Sequence, residues 1–247
     1  MANKRIACAL YGQPRYLKEG HSYLSKSFSQ YDFEVDFFCH SYQYGVNSSY
    51  DSSPWSNPPT AGVVENTYDE ISNLYNPVQL EIETPYDGDV GWVQNSLIGS
   101  ETHIHDKSLF GNIKNILSQF YSRSKLCQLV SNHNSVYDFI VTCRYDFRQM
   151  LGSRILNQIN PEKIYTNNGW GVINDNLLIM NTENFLKITN VYENLPNIIN
   201  NESLKQKTHE NGQQFVVNAE DLLCINTLYY HEDFNVIHGT QEIPNFH

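Results

Sequence analysis

Tyr137-Asp138-Phe139-Ile140-Val141-Thr142-Cys143-Arg144-Tyr145-Asp146 is the stretch that decides the fold of this chain. A short apolar run rich in β-branched and aromatic residues, bounded by polar ones, predicts a strand buried on both faces. The run ends abruptly in a cation, an aromatic ring and a carboxylate. In open α/β sheets, ligands bind just past the carboxyl ends of such strands. At that place Asp146 either holds a divalent ion and, through it, a diphosphate, or simply opens a turn.

Working outward, the same pattern recurs. Residues 112–130 predict a helix that feeds directly into this strand, with Ile113, Ile116, Leu117, Phe120, Leu126, Cys127 and Val130 as its apolar positions. Residues 6–11 predict a first buried strand, 15–29 a helix and 35–40 a second strand. This strand–helix–strand opening is the start of an α/β sheet. A short helix over 68–75 and a strand over 78–82 follow. Beyond the central strand the pattern predicts strands around Ile164-Tyr165 and over 177–180, a helix over 182–192, a polar loop over 197–211, a helix over 219–230 and a last strand over 234–237. Residues 42–59 have no period and predict a long loop, of the kind used as a lid or binding segment.

Composition narrows the function classes. The chain has 247 residues, 40% hydrophobic and 13% aromatic, enough for a sizeable core and consistent with one large domain. Sixteen Lys+Arg against 27 Asp+Glu give a net charge of −11, which argues against a protein whose task is gripping nucleic acid. A small anionic ligand needs only one or two local cations and stays compatible. The five cysteines (Cys8, Cys39, Cys127, Cys143 and Cys224) show no paired spacing and read as buried, reduced thiols. No apolar stretch is long enough to span a bilayer, and the first residues do not resemble a leader, so a cytoplasmic location is expected.

Several segments could carry chemistry. Tyr11-Gly12-Gln13-Pro14-Arg15 follows the first strand; its Gly lets backbone approach a ligand and Arg15 could pair with phosphate, or the segment is a plain turn. It matches neither the dinucleotide fingerprint nor a P-loop. Gln119, Ser122 and Arg123 lie near one another on the 112–130 helix, as polar groups beside a diphosphate or as ordinary amphipathic surface. In Gly169-Trp170-Gly171, Trp170 either stacks on a sugar or base, or packs in a turn. Asp175 contacts a substrate hydroxyl or caps the next strand. Glu220 and Asp221 stand before an apolar helix, where a general base and mere helix-dipole complementarity are both served. His238 follows the last strand, as a ligand or as a structural residue.

Taken in order, these pieces resemble the GT-A glycosyltransferases, a Rossmann-like fold acting on nucleotide-diphosphate sugars. Arg144-Tyr145-Asp146 stands where that family has Asp-x-Asp, followed by Gly169-Trp170-Gly171, Ala219-Glu220-Asp221 and His238. The segments Leu10–Arg15 and Gln119–Ser122 are similar to small glycosyltransferases of polysaccharide loci and large viruses. The resemblance implies a single α/β domain over 1–247 with a mixed sheet flanked by helices, in which 1–150 binds the nucleotide-sugar and 151–247 the acceptor. It implies a UDP- or GDP-linked hexose or pentose donor and a glycan or glycoconjugate acceptor. Tyr11, Gly12, Gln13, Arg15, Gln119, Ser122, Arg123, Arg144 and Asp146 would meet the nucleotide-sugar. Trp170, Gly171 and Asp175 would meet sugar or acceptor, and Asp221, supported by Glu220, would be the base of an inverting transfer.

Asp146 and His238 would hold Mn²⁺ or Mg²⁺. One departure matters here. Arg144 replaces the first Asp, and a cation cannot ligate a cation. Either Asp146 and His238 hold the metal with Arg144 turned away, or arginine itself neutralises the diphosphate. A nucleotidyltransferase, and a non-catalytic nucleotide or carbohydrate binder with a degraded metal motif, are the alternatives.

Overall fold

The computed structural model describes residues 4–43, 66–84, 113–151, 156, 159–160, 162–166, 176–201, 222–223, 226–227, 230 and 236–238, with backbone only for 113–115 and 236–238. The elements are β1 (Lys4–Gly12), α1 (Leu17–Phe28), β2 (Phe33–Tyr42), α2 (Thr67–Tyr75), β3 (Gln79–Glu83), α3 (Ile113–Ser131), β4 (Phe139–Arg144), β5 (Ile164–Thr166), β6 (Leu177–Met180), α4 (Thr182–Ile188), α5 (Val191–Ile199) and β7 (Val236–His238). All the strands expected from sequence are present, and they form one sheet in the order β3-β2-β1-β4-β6-β5-β7. β1 pairs in parallel with β2 and β4, and β2 with β3. β6 is antiparallel to β4 and β5, and β7 is parallel to β5. The chain is therefore α/β with a mixed sheet, as its sequence predicts.

β1 shows why its residues do not alternate in polarity. Ile6, Cys8 and Leu10 pack with Leu17, Leu24 and Phe28 of α1 and Ile71 and Tyr75 of α2. Ala7, Ala9 and Tyr11 pack on the opposite face with Leu117, Phe120 and Leu126 of α3. Successive side chains point to opposite faces, and helices cover both, so every position must be apolar. β4 behaves likewise, with Phe139 through Cys143 all buried. Cys8, Cys39, Cys127 and Cys143 are buried free thiols, as expected; Cys224 lies outside the described residues.

Two boundaries differ from the sequence reading. The helix expected over 182–192 is two helices, α4 and α5, and α5 runs to Ile199, into the expected polar loop. Pro196 and the flanking asparagines disguise it, because Pro in a helix removes a donor and crowds the preceding turn. Val191, Leu195, Ile198 and Ile199 nonetheless form one buried stripe in the core that includes α3. Tertiary burial overrides the local penalty. Of the helix expected over 219–230, the described residues Leu222, Leu223, Asn226, Thr227 and Tyr230 are helical. Residues 44–59 of the expected loop lie outside the described residues. No helix among the described residues is long and apolar enough to cross a membrane.

Candidate functional site

The sheet order creates a crevice. From β1 the chain winds outward through β2 to β3, then returns to place β4 on the other side of β1. α1 leaves β1 over one face and α3 enters β4 over the other. At such a switch point the connections diverge, and the carboxyl ends of the two strands open between them. Gly12 and Arg144 stand at those ends, and Tyr11 is in register with Arg144.

Beyond Gly12 the backbone turns sharply. Gly12 has φ +94°, a left-handed region that favours glycine, and Arg15 N–H donates to Gln13 O at 2.9 Å. Tyr16 then caps α1 with φ +50°, uncommon for a bulky residue, and makes no side-chain cap hydrogen bond. The Arg15 and Arg148 guanidinium carbons stand 5.8 and 4.5 Å from the centre of the Tyr16 ring. Both distances suit a cation–π contact. Arg15 is buried and Arg148 exposed.

The end of β4 is a fork. Arg144 Nε donates to Asp146 Oδ1 at 2.9 Å and Nη2 to Oδ2 at 2.8 Å. The side chains retain 33% and 19% of their accessible surface, so this bidentate pair lines the opening. Phe147 N–H donates to Arg144 O at 3.1 Å, closing the turn after the strand. Asp146 thus sits in a turn and also engages a cation. Gly20 seats α1 directly on this turn, since a Cβ there would fall 1.9 Å from the Tyr145 carbonyl oxygen.

Beneath the rim lies a buried polar chain. Gly12 N–H donates to Ser122 Oγ at 3.0 Å, and Ser122 shares a 2.7 Å hydrogen bond with His40 Nδ1. His40 Nε2 faces Glu83 Oε2 at 3.4 Å, and Glu83 Oε1 meets Lys125 Nζ at 2.8 Å. With the ring proton on Nε2, every donor finds an acceptor, from Gly12 through Ser122 and His40 to Glu83; the network dictates that tautomer. Burial pushes the His40 pKa down to about 4, against the opposing pull of Glu83, so the ring is neutral near pH 7. Burial tends to raise the Glu83 carboxyl, but hydrogen bonding from Lys125 and the proximity of His40 leave it lowered. Ser41 Oγ donates to Gly12 O at 2.8 Å, so both polar backbone groups of Gly12 are bonded internally.

This geometry sorts the residues expected at the site. Gly12, Gln13, Arg15, Arg144 and Asp146 gather at the two strand ends. Tyr11, Ser122 and Arg123 are fully buried, with 0% exposure, and lie below the rim rather than on it. Arg123 packs on the Tyr11 ring at 4.2 Å and donates to its hydroxyl. Burial of these three follows from α3 packing flat on β1, which a helical-face argument does not foresee. Gln119 is half-buried on α3. Trp170, Gly171, Asp175, Glu220 and Asp221 lie outside the described residues. The His238 backbone pairs in register with Thr166, at the same end of the sheet as Arg144 but three strand positions from β4. Sequence reasoning missed His40, Glu83, Tyr16 and Arg148. The signal for His40 was a polar residue near the end of a buried strand; Glu83 ends the half-buried β3 and gave none.

The described residues contain no cluster of three or more His, Cys, Asp or Glu able to ligate a divalent cation, and the side chain of His238 lies outside them. Asp146, the carboxylate at the strand end, has both oxygens turned to a guanidinium.

No family model and no curated protein matches the chain. Solved structures do. The galactosyltransferase LgtC, in complex with donor and acceptor sugar analogues, is 13% identical, with 95% of this chain and 73% of that chain covered and a TM-score of 0.39. Mouse xyloside xylosyltransferase 1, in its apo form, is 13% identical, with 96% and 85% covered and a TM-score of 0.42. The apo glycosyltransferase GlyE of Streptococcus pneumoniae is 9% identical, with 95% and 45% covered and a TM-score of 0.38. Likeness at this level assigns no residue of the site.

Proposed function

We propose that the chain is a glycosyltransferase of GT-A type that moves a sugar from a nucleotide-diphosphate donor to a glycan hydroxyl. The observation that carries the reading is the crevice at the switch between β1 and β4. The Gly12–Arg15 turn and the Arg144–Asp146 fork stand together where α/β sheets bind their ligands. The resemblance of the ordered motifs to GT-A enzymes supplies the reaction class. In the transfer, the acceptor oxygen forms a bond to the anomeric carbon while the bond from that carbon to the diphosphate oxygen breaks. The electron pair leaves with the diphosphate, and the hydroxyl proton passes to a carboxylate, for which Asp221 is our candidate, supported by Glu220. Trp170, Gly171 and Asp175 are assigned to the sugar and acceptor on the same reading.

The test is thermal unfolding against UDP, GDP and other nucleoside diphosphates, with and without Mn²⁺, followed by donor hydrolysis. Binding raises the unfolding temperature by mass action. No shift with any nucleotide removes the transferase reading. Binding without turnover of any donor-and-acceptor pair favours the non-catalytic binder, to which the replacement of the first motif Asp by Arg144 also points. Hydrolysis unchanged by Asp221→Asn withdraws that residue as the base.

A further inference from the structure

Tyr16 stands where its own side chain argues against it. Its backbone has φ +50° and ψ +38°, in the left-handed region. For a bulky L-residue that conformation is an outlier, and glycine, asparagine and aspartate are the types that enter it at low cost. Among the described residues the other non-glycine with positive φ is Asn76, at the C-cap of α2, which is one of the expected types. Tyr16 also occupies the N-cap of α1, where serine, threonine, aspartate or asparagine would bind a free N–H group, and its side chain makes no such bond. A tyrosine here serves neither the turn nor the helix. Strain of this kind persists only where the surroundings hold it, and at a strand end that opens on a ligand crevice it points to function.

The ring supplies the second part of the argument. Tyr16 is half-buried, and the guanidinium of the exposed Arg148 lies over its ring at 4.5 Å from the centre; that of the buried Arg15 is farther, at 5.8 Å. The ring therefore already accepts a flat, delocalised partner. The contact with Arg148 joins the segment after β1 to the segment after β4, and so lies across the opening at which both strands end. The backbone groups of Gly12 are committed to Ser122 and Ser41. What the β1 turn offers a ligand is the Tyr16 ring and, at Gly12, space, since a Cβ built there meets no described atom within 4 Å.

We propose that the Tyr16 ring is the platform on which the base of the nucleoside diphosphate stacks, and that Arg148 yields the ring face to the base and covers its outer side. Every base has a π face, so a ring and a guanidinium can hold it from two sides. Arg148 is exposed, and its contact with the ring is weak enough for a base to replace. The backbone strain at Tyr16 is then the cost of presenting an aromatic surface at the strand end. This inference rests on the nucleotide-sugar reading above and deepens it, by naming the part of the donor that the β1 turn receives.

Isothermal titration of the full chain and two variants with UDP and with GDP tests it. Tyr16→Phe keeps both the ring and the backbone strain, whereas Tyr16→Asn removes the ring and suits the left-handed backbone better. A residue that matters only for the shape of the turn favours Asn over Phe; a stacking platform demands the reverse. Tyr16→Phe is expected to bind the preferred nucleotide within about threefold of the parent, and Tyr16→Asn about tenfold or more weakly, in line with loss of one base–aromatic stack. Without nucleotide, the thermal unfolding midpoint of Tyr16→Asn is expected to match or exceed that of Tyr16→Phe.

Binding by Tyr16→Asn within about threefold of the parent overturns the proposal and leaves the transferase reading standing. So does a loss of affinity shared equally by both variants. So too does a loss in Tyr16→Asn accompanied by a midpoint more than about 5 °C below that of Tyr16→Phe, since the ring is then part of the packing. If the parent binds neither nucleotide, the transferase reading fails and the proposal falls with it.

Discussion

Two polar clusters share the carboxyl end of this sheet and are built on opposite terms. In the chain from Gly12 through Ser122 and His40 to Glu83 and Lys125, donors and acceptors match in sequence, and Ser122 and His40 have no exposed surface. A network satisfied in this way fixes a single arrangement of the elements that carry it. Here it ties β1, β2, β3 and α3 together under the Gly12 turn. At the strand ends, Arg144 pairs with Asp146 and Arg148 stands over the Tyr16 ring, and both arginines keep exposed surface. Polar groups that keep accessible surface can meet a ligand; polar groups satisfied underneath hold the opening in shape.

The sharpest way to break that contrast is to dislodge what both clusters lean on. Gly20→Ala sets a methyl group 1.9 Å from the Tyr145 carbonyl oxygen, which is backbone and cannot swing aside. A loss of about 3 kcal/mol or more is expected in urea unfolding, at the upper end of overpacking costs. A loss below about 1 kcal/mol would show that α1 is not seated as described.

The next effect is a pH dependence belonging to the buried chain alone. The His40 pKa lies near 4 in the fold against 6.5 for the ordinary group, so between those values the unfolded chain binds the proton and the folded chain does not. Stability from this residue is therefore present above about pH 6.5 and lost as pH falls toward 4, by roughly 3 kcal/mol at most. Chemical unfolding across that window, compared with His40→Gln, should show the slope in the parent and little of it in the variant. Equal slopes would remove His40 from the account.

Ser122→Ala sharpens the contrast further. It leaves the Gly12 N–H and the His40 ring without their buried partner, at a cost of about 2 kcal/mol. UDP or GDP affinity of the folded variant should nonetheless stay within about threefold of the parent. A selective loss of affinity with stability intact would mean that the chain takes part in binding.

Arg148→Ala is the smallest change and the converse one. Its contact with the exposed side of Tyr16 is worth about 0.5–1 kcal/mol of stability. The same variant should weaken nucleotide binding several-fold in titration, more at low salt than at high. Unchanged affinity would take Arg148 out of the nucleotide site.

Most of the fold was legible because its signals are local. Runs such as Ile6–Tyr11 and Phe139–Cys143 are apolar but for Thr142, and 112–130 has a clear helical period. α5 was hidden for the complementary reason: Pro196 and the asparagines speak against a helix locally, and only burial of Val191, Leu195 and Ile198 outweighs them. The position of Arg144 and Asp146 at the end of β4 was legible because a polar pair closes an apolar run. The burial of Tyr11, Ser122 and Arg123 was not legible, since helical spacing says which residues are neighbours and not which side of them is covered.

The sequence by itself therefore determined the strands, their α/β class and where the central strands end, because burial imposes its pattern within a few residues. Tertiary structure alone decided how the charges are partnered. His40 and Ser122 are 82 residues apart, and Gly12 and Ser122 are 110 apart. No local pattern encodes which of two distant polar groups will face each other in a dry interior. Even the turn that carries Arg144 and Asp146 has a distant neighbour, since Gly20 of α1 lies directly against the Tyr145 carbonyl between them.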